Sequence, residues 1–327
     1  MQFTWKKGLA AAGLVCLIGY FVSVWWSFEP DAITEEQLSA QAAGPEQQKV
    51  IGYATTTALI TTMETLLQKP GGWLSNDVMP PSLLMDNMPA FEFGALEQTR
   101  DLALVMRKEF SRSQSQSTAD ADLLQAHTKL NIGHTSWLVP SAESEYKDAV
   151  QLLKQYRARI SDPQNQDAQF YARADNLNEW LKEVQKRLGS VSQRLSASVG
   201  QDRLNTDLAG DSAARQSTPN RTSQEIKTSW WEIDDVFHES RGASWALLNF
   251  MKAIEIDFAD VLKKKNAEVS VQQIIRELEA TQQTVWSPMI MNGSGFGLVA
   301  NHSLVMANYV SRANAAVIDL TNLLSQG

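Results

Sequence analysis

The chain has 327 residues, a formal net charge of −8 and a single cysteine. Its acidity argues against nucleic-acid binding, which depends on Lys and Arg side chains that neutralise phosphates. It also argues against binding anionic lipid through a basic face. Because the single thiol is Cys16, near the N-terminus, the remainder has none for disulfides, thiol catalysis or Cys-ligated metals.

An uncharged apolar stretch, residues 8–28, follows Lys6 and Lys7. As a helix it would reach roughly 30 Å, the thickness of a bilayer's hydrocarbon core. Residues 29–48 contain five acidic residues and neither Lys nor Arg. Because basic flanks stay on the cytoplasmic side, the sequence predicts a cytoplasmic tail at residues 1–7, a transmembrane signal anchor and a periplasmic body at the bacterial inner membrane.

Two other interpretations of the apolar stretch are a cleaved signal peptide and a buried helix of a soluble protein. A signal peptide has an apolar stretch of roughly 7–15 residues and a small-residue cleavage site. Here the stretch is longer and ends in the bulky residues 25–28, Trp-Trp-Ser-Phe. The pattern favours an uncleaved anchor.

The rest of the chain is typical of an all-α protein, an antiparallel helical bundle, because Pro and Gly divide it into long apolar-periodic segments. We expect a stalk at 29–45 that contains one short helix, an N-terminal helical half at 46–196, a mobile linker at 197–223 and a C-terminal helical half at 224–327. The linker is rich in Ser, Asp, Asn, Gln and Arg. Whether the two halves share one core is left open.

Two segments have heptad spacing and predict long helices that pack at a shallow angle. The first seam is Phe170, Ala174, Leu177, Leu181, Val184, Leu188, Val191 and Leu195. The second is Val299, Ser303, Met306, Val310, Ala313, Val317, Leu320 and Leu324. A third periodic segment, 226–262, is expected to have a polar break near Arg241 and Gly242.

Residues 71–94 combine turn-forming residues with many large apolar side chains. Such a segment is either packed on the domain or offered to a partner. The residues we assign to a possible partner surface are Trp73, Asp77, Asp86, Asn87 and Phe91.

Asp234 and His238 are four residues apart on a predicted helix and could form a carboxylate–imidazole pair or bind a metal. No HExxH motif and no third ligand at a recognisable spacing accompany them. We therefore assign no catalytic, metal-binding or cofactor-binding residue. A solvated or helix-pairing polar face is the favoured interpretation.

Two blocks of the sequence read GGWLSND…PPSLLMDNMPAFEFGALEQTRD and SWWEIDDVFHESRGASWALL. Together they resemble the signature of an uncharacterised proteobacterial family, a domain of unknown function. The family's members are single-pass membrane proteins, so the resemblance implies a Gram-negative source and an inner-membrane location. It implies no activity, cofactor or catalytic residue.

The sequence thus predicts a non-enzymatic, membrane-anchored protein that acts as a scaffold or interaction module of the cell envelope. Its partners would be the membrane and either envelope proteins or peptidoglycan. One alternative is a periplasmic hydrolase of peptidoglycan with Glu232, Asp234 or Asp235 as general acid. Another is a carrier of a hydrophobic ligand.

Overall fold

Helices make up most of a computed structural model of the chain, which describes residues 2–42, 50–113, 118–164, 167–204, 223–287 and 289–326. The expected all-α class is confirmed. The helices are α1 (Gln2–Trp26), α2 (Glu35–Ala42), α3 (Tyr53–Gln68), α4 (Asn87–Val105), α5 (Ala121–Leu130), α6 (Ala142–Ile160), α7 (Ala174–Ser196), α8 (Ile233–Asp257), α9 (Ala259–Lys264), α10 (Glu268–Thr281) and α11 (His302–Ser325). Short 3₁₀ turns lie at Ser82–Leu84 and Ala197–Val199, and a π-helical turn, Met106–Phe110, follows α4.

The first helix, α1, extends away from the rest of the protein. Its segment Lys7–Trp26 has a mean hydropathy of 1.9, and 0% of its most apolar part is buried against other residues. A core helix of a soluble protein would be buried, so that interpretation of the segment is wrong. A free helix of this length and composition could anchor the chain in a membrane or act as a signal sequence.

The body is built around α8, whose residues from Ser240 to Ile254 are all buried. A helix that is buried on every side belongs to the centre of a bundle. Thr55 of α3 donates a hydrogen bond to Asp257, and Asn249 donates one to Thr62. Since Thr55 pairs with the end of α8 and Thr62 with its middle, α3 runs antiparallel to α8.

Helix α4 runs parallel to α8, because Asp86 lies beside Asp234 at their starts and Phe110 contacts Phe258 beyond their ends. The two helices approach each other very closely. A Cβ atom at Gly242 would lie 1.9 Å from the carbonyl oxygen of Phe91, and one at Gly94 would lie 1.9 Å from that of Glu239. Only glycine permits this approach of the two backbones. The polar break expected at Arg241 and Gly242 is therefore wrong, because α8 continues through both residues.

The two heptad seams are confirmed, and they pack against each other. Except for partly buried or exposed residues at their starts, their apolar members are buried. The Ser192 hydroxyl donates to the Ala307 carbonyl, and the Asn178 amide donates to Ser325, so α7 and α11 are antiparallel. Helix α10 fills the space between α8 and α11.

These helix directions place the loops at two ends of the bundle. The α1 end, where α1 leaves the body, contains residues 27–33, 71–86, 131–141, 227–232, 282–287 and 289–301. The far end contains residues 50–52, 106–113, 118–120, 161–164, 167–173 and 258–267. Residues 131–141 belong to the first group because the Trp73 indole donates to the His134 carbonyl at 2.9 Å.

The expected stalk is instead packed on the body. The Ile33 amide donates to the Asn249 side chain at 2.9 Å, and Leu38 of α2 is buried. An extended segment can pack here because α8 presents the Asn249 amide to its backbone. The last part of the expected stalk falls within residues 43–49, which lie outside the described residues.

One hydrophobic cluster contains buried side chains from both expected halves, so the two halves share a core. Most of the expected linker, residues 205–222, lies outside the described residues. At its edges a short antiparallel pair forms between β1 (Gln201–Leu204) and β2 (Ser223–Ile226), which the sequence pattern did not indicate. This backbone pairing joins the end of α7 to the approach to α8.

Candidate functional site

An ion pair between the partly buried Glu29 and the buried Arg241 joins the segment after α1 to the central helix. The Glu29 carboxylate accepts a hydrogen bond from Arg241 Nε at 2.8 Å and faces His238 Nδ1 at 3.1 Å. Arg241 also donates to the carbonyl oxygens of Thr281 and Gln283. Because a buried guanidinium is costly unless it is paired, Glu29 is needed to hold this part of the body together.

Two opposing effects set the pKa of Glu29. Burial raises it, but the hydrogen bonds and positive charge of His238 and Arg241 outweigh burial, so the pKa lies below its ordinary value. Glu29 is therefore ionised at neutral pH. The sequence pattern indicated Glu29 only as an acidic residue that flanks the apolar stretch. The signal that could have revealed the ion pair is an acid directly after that stretch, together with His238 and Arg241 one helical turn apart on α8.

A cleft of about 690 Å³ opens beside this ion pair. Its walls are the segment after α1, the start of α4, the first turns of α8 and the loop after α10. Four carboxylates line it, those of Glu29, Asp31, Asp86 and Asp234. Glu29 is paired with Arg241, whereas the other three form no ion pair with a residue that the structure describes. Trp230 and Trp231 line it as well, and their indoles are 67% and 81% exposed. The cleft is thus both acidic and aromatic.

Asp235 lies next to this cleft on the first turn of α8. Burial, together with the negative charges of Asp86 and Asp234, raises its pKa to about 6. Its Oδ1 atom is buried and has no hydrogen-bond partner among the described residues. Asp235 therefore gains or loses its charge close to neutral pH, unlike an ordinary aspartate.

The alternative pairing of Asp234 with His238, which the sequence did not favour, does not form. The His238 imidazole faces Glu29, because the segment after α1 packs across this face of α8. Within the described ranges, no group of three or more His, Cys, Asp and Glu side chains is arranged to hold a metal ion.

Two residues of the proposed partner surface are not at the surface. Trp73 and Phe91 are fully buried, Trp73 against Tyr146 and Phe91 against Trp245. Trp73 can be fully buried because its indole N–H donates a hydrogen bond to the His134 carbonyl oxygen. A role for these two side chains as exposed contacts is therefore wrong.

The other members of that surface remain accessible. Asp77 and Asp86 are exposed and Asn87 is partly exposed. Asp86 and Asn87 line the cleft. Whether any of the three contacts a partner stays a prediction.

A buried ion pair explains why the irregular segment after α3 has a fixed conformation. Lys69 Nζ lies 2.7 Å from Glu92 Oε1, and both side chains are almost completely buried. The same carboxylate accepts hydrogen bonds from the amides of Leu74 and Ser75. Burial raises the pKa of Glu92, although the Lys69 charge counteracts it. Nothing in the sequence pattern singled out this pair.

The fold and the site together define a helical-bundle protein with one free apolar helix at its N-terminus. Residues 1–327 match the family described as "uncharacterized protein conserved in bacteria" (DUF2333), and the chain belongs to this family. No curated protein and no solved structure matches the chain. The resemblance noted from the sequence is thus confirmed for a bacterial family of unknown function, whereas a proteobacterial source and an inner-membrane location stay predictions.

Proposed function

We propose that this protein is a single-pass inner-membrane protein whose periplasmic body binds a basic, extended segment of an envelope protein. The observation that carries the proposal is the cleft beside α1, in which Asp31, Asp86 and Asp234 have no basic partner among the described residues. No activity is needed for this role.

The charges around α1 support the topology. Lys6 and Lys7 precede the apolar helix, and acidic residues alone carry charge between 29 and 48. A reporter fused to the C-terminus that is active only outside the cytoplasm tests it. Activity of the fusion is expected, and an inactive fusion that is nevertheless produced would contradict the topology.

The chemistry of the cleft favours a basic partner. Carboxylates attract Lys and Arg side chains, and the exposed faces of Trp230 and Trp231 can receive the same cations through cation–π contacts. Arg241 is already neutralised by Glu29 and so does not repel them. A cleft of about 690 Å³ is of the size that proteins use for ligands.

A defined pair of peptides tests the binding. The full chain in nanodiscs is titrated with a fluorescent Lys-rich peptide and with a Glu-rich peptide of equal length. We expect only the Lys-rich peptide to bind, with an affinity that falls as salt rises. The double variant Asp86→Asn/Asp234→Asn should weaken it, whereas Asp260→Asn/Asp319→Asn, which removes two exposed carboxylates elsewhere, should not. Equal effects of the two variants would refute a role for the cleft.

In cells, a photo-crosslinker at Trp231 identifies what occupies the cleft, with the same group at Leu124 of α5 as a control. A protein captured only from position 231, and lost in the Asp86→Asn/Asp234→Asn background, is the expected result. Capture of peptidoglycan fragments would instead show that the partner is the cell wall and not a protein.

A second candidate function is favoured by Asp235. A general acid for glycoside cleavage needs a raised pKa, and that of Asp235 is raised to about 6 beside an open cleft. Zymography on purified cell wall tests this hydrolase hypothesis. Clearing by the wild type that disappears in Asp235→Asn or Asp234→Asn would establish it, and an absence of clearing would leave the binding role. The charged walls of the cleft do not favour the third hypothesis, a carrier of a hydrophobic ligand.

A further inference from the structure

The loops at the α1 end expose large apolar side chains. Three separate loops supply the clearest cases outside the cleft, which are Met79, Leu84, Val139, Trp286, Phe296 and Leu298. Val139, Phe296 and Leu298 are as exposed as in an extended chain. Soluble surfaces rarely expose so many large apolar groups on one side, and where they do, the groups mark a contact with a protein or a membrane.

The far end of the bundle differs. Its loops at 111–113, 118–120 and 161–164 consist of Ser, Thr, Arg, Ala, Asp, Pro and Gln. Among the described residues of the far-end loops, Ile51 is an exposed large apolar residue, and Leu124 and Val269 are exposed in the adjoining first turns of α5 and α10. Exposed large apolar groups are therefore concentrated at one end of the molecule and are not a general property of its surface.

The same end is held close to the apolar helix. Trp26, the last residue of α1, packs beside Gly71, and Glu29 forms the ion pair with Arg241. Only Ser27 and Phe28 lie between these two attachments. Even a fully extended chain covers about 3.4 Å per residue, so the body begins about 10 Å from the end of α1.

We propose that the α1 end of the body docks on the surface of the bilayer that α1 crosses, with its apolar loops in the headgroup layer. This inference rests on the proposed membrane anchoring of α1. The occupant is lipid rather than another protein because the short connection after α1 keeps these loops at the depth where indoles and other amphipathic groups are favoured.

The docking is apolar and not electrostatic. The charged side chains next to the exposed loops include Asp77 and Asp86, which anionic headgroups would repel. We therefore expect docking on phosphatidylcholine to be at least as strong as on a mixture that contains phosphatidylglycerol.

Spin-label accessibility in nanodiscs of phosphatidylcholine tests the proposal on the full chain. In a Cys16→Ser background, single labels are placed through Leu84→Cys, Val139→Cys and Phe296→Cys, and the control is Val269→Cys, an exposed apolar position near the far end. All four side chains are exposed, so the substitutions leave the core unchanged. Collision rates are measured with oxygen, which enters lipid, and with a nickel chelate, which stays in water.

We expect the ratio of oxygen to nickel-chelate collisions to be several-fold higher at the three α1-end labels than at Val269. Equal ratios at both ends would overturn the proposal, and so would α1-end labels that are shielded from both reagents, since these would report a protein contact. A label on native Cys16 separates the two claims. If that label also meets the nickel chelate, the anchor and the docking both fail; if only the loop labels do, the docking alone fails.

Discussion

The two ends of the bundle close the same core in different ways. At the far end, Phe110, Phe170 and Phe258 stack on one another inside the body, with ring centroids 5.0 to 5.9 Å apart. At the α1 end, the buried pair Lys69–Glu92 and the partly buried pair Glu29–Arg241 hold the segments, and large apolar side chains point outward. The far end is thus arranged like an ordinary protein surface over an apolar core, whereas the α1 end is arranged like a contact surface.

This difference indicates where function is concentrated. Buried ion pairs give little net stability compared with apolar packing, but they fix the relative positions of the segments they join. At the α1 end they set the position of α1, the irregular segment after α3 and the acidic cleft. The following experiments ask whether the two ends really differ in this way.

The largest effect is expected at Glu92. The variant Glu92→Gln leaves Lys69 buried without a countercharge, and losing one partner of a buried pair costs about 3–5 kcal/mol. Urea unfolding of the full chain in detergent, followed by circular dichroism, measures the loss. Glu64→Gln is the control, because the Glu64–Lys154 pair is partly exposed and should contribute less than about 1 kcal/mol. Similar losses in the two variants would contradict the importance of burial.

A slightly smaller loss is expected for Glu29→Gln, about 2–3 kcal/mol at pH 7, because Arg241 stays buried and loses its charged partner. Since the pKa of Glu29 is lowered in the folded protein, its contribution is present above pH 4 to 5 and is lost as the pH falls through that lowered pKa. The difference in the free energy of unfolding between variant and wild type should therefore become smaller as the pH falls. Glu183→Gln, in an exposed pair at α7, should show almost no difference at any pH.

The close approach of α4 and α8 can be tested by replacing the glycine that permits it. Gly242→Ala would place a Cβ atom 1.9 Å from the Phe91 carbonyl oxygen, so the two helices must move apart at a cost of about 2 kcal/mol. Gly189→Ala is the matched control, since its Cβ atom would meet nothing closer than 3.8 Å and alanine favours the helix. Thermal unfolding should show a lower midpoint for the first variant and an equal or higher one for the second; a reversed order would refute the crossing.

The smallest effect is expected at Asp235 and depends on pH. Its pKa is raised from 3.8 to about 6, so the folded protein prefers its protonated form. This preference stabilises the protein fully below pH 4 and is lost as the pH rises through about 6. Asp235→Asn cannot ionise, so it should be more stable than the wild type at pH 8, with the difference closing towards pH 4. A difference that is the same at both pH values would argue against a buried carboxylate here.

Much of the fold could be read from local patterns. The seams that end at Leu195 and Leu324 predicted two helices correctly, because a 3–4 spacing places side chains on one helix face whatever the rest of the chain does. The polar break expected near Arg241 failed for a related reason. A charged residue followed by glycine is unfavourable in an isolated helix, and only the partner residues Glu29 and Phe91 explain why both are kept.

The candidate site could be predicted only in fragments. Asp86 and Asn87 were expected at a surface, and both line the cleft. Trp73 and Phe91 were expected beside them but lie in the core. Trp73 belongs to an irregular segment, which has no period from which to tell inward from outward side chains, and Phe91 lies on α4, which already begins at Asn87. Only a neighbouring loop, which supplies the His134 carbonyl, decides that Trp73 turns inward.

The sequence by itself determined that one uncharged apolar helix precedes an acidic, cysteine-free helical body, because length, charge and periodicity are properties of consecutive residues. The tertiary structure decided that Glu29 meets Arg241, 212 positions away, that the presumed stalk belongs to the core, and that the exposed apolar loops gather where α1 leaves the body. Such long-range contacts depend on how the helices pack against one another, and a local sequence pattern carries no information about them.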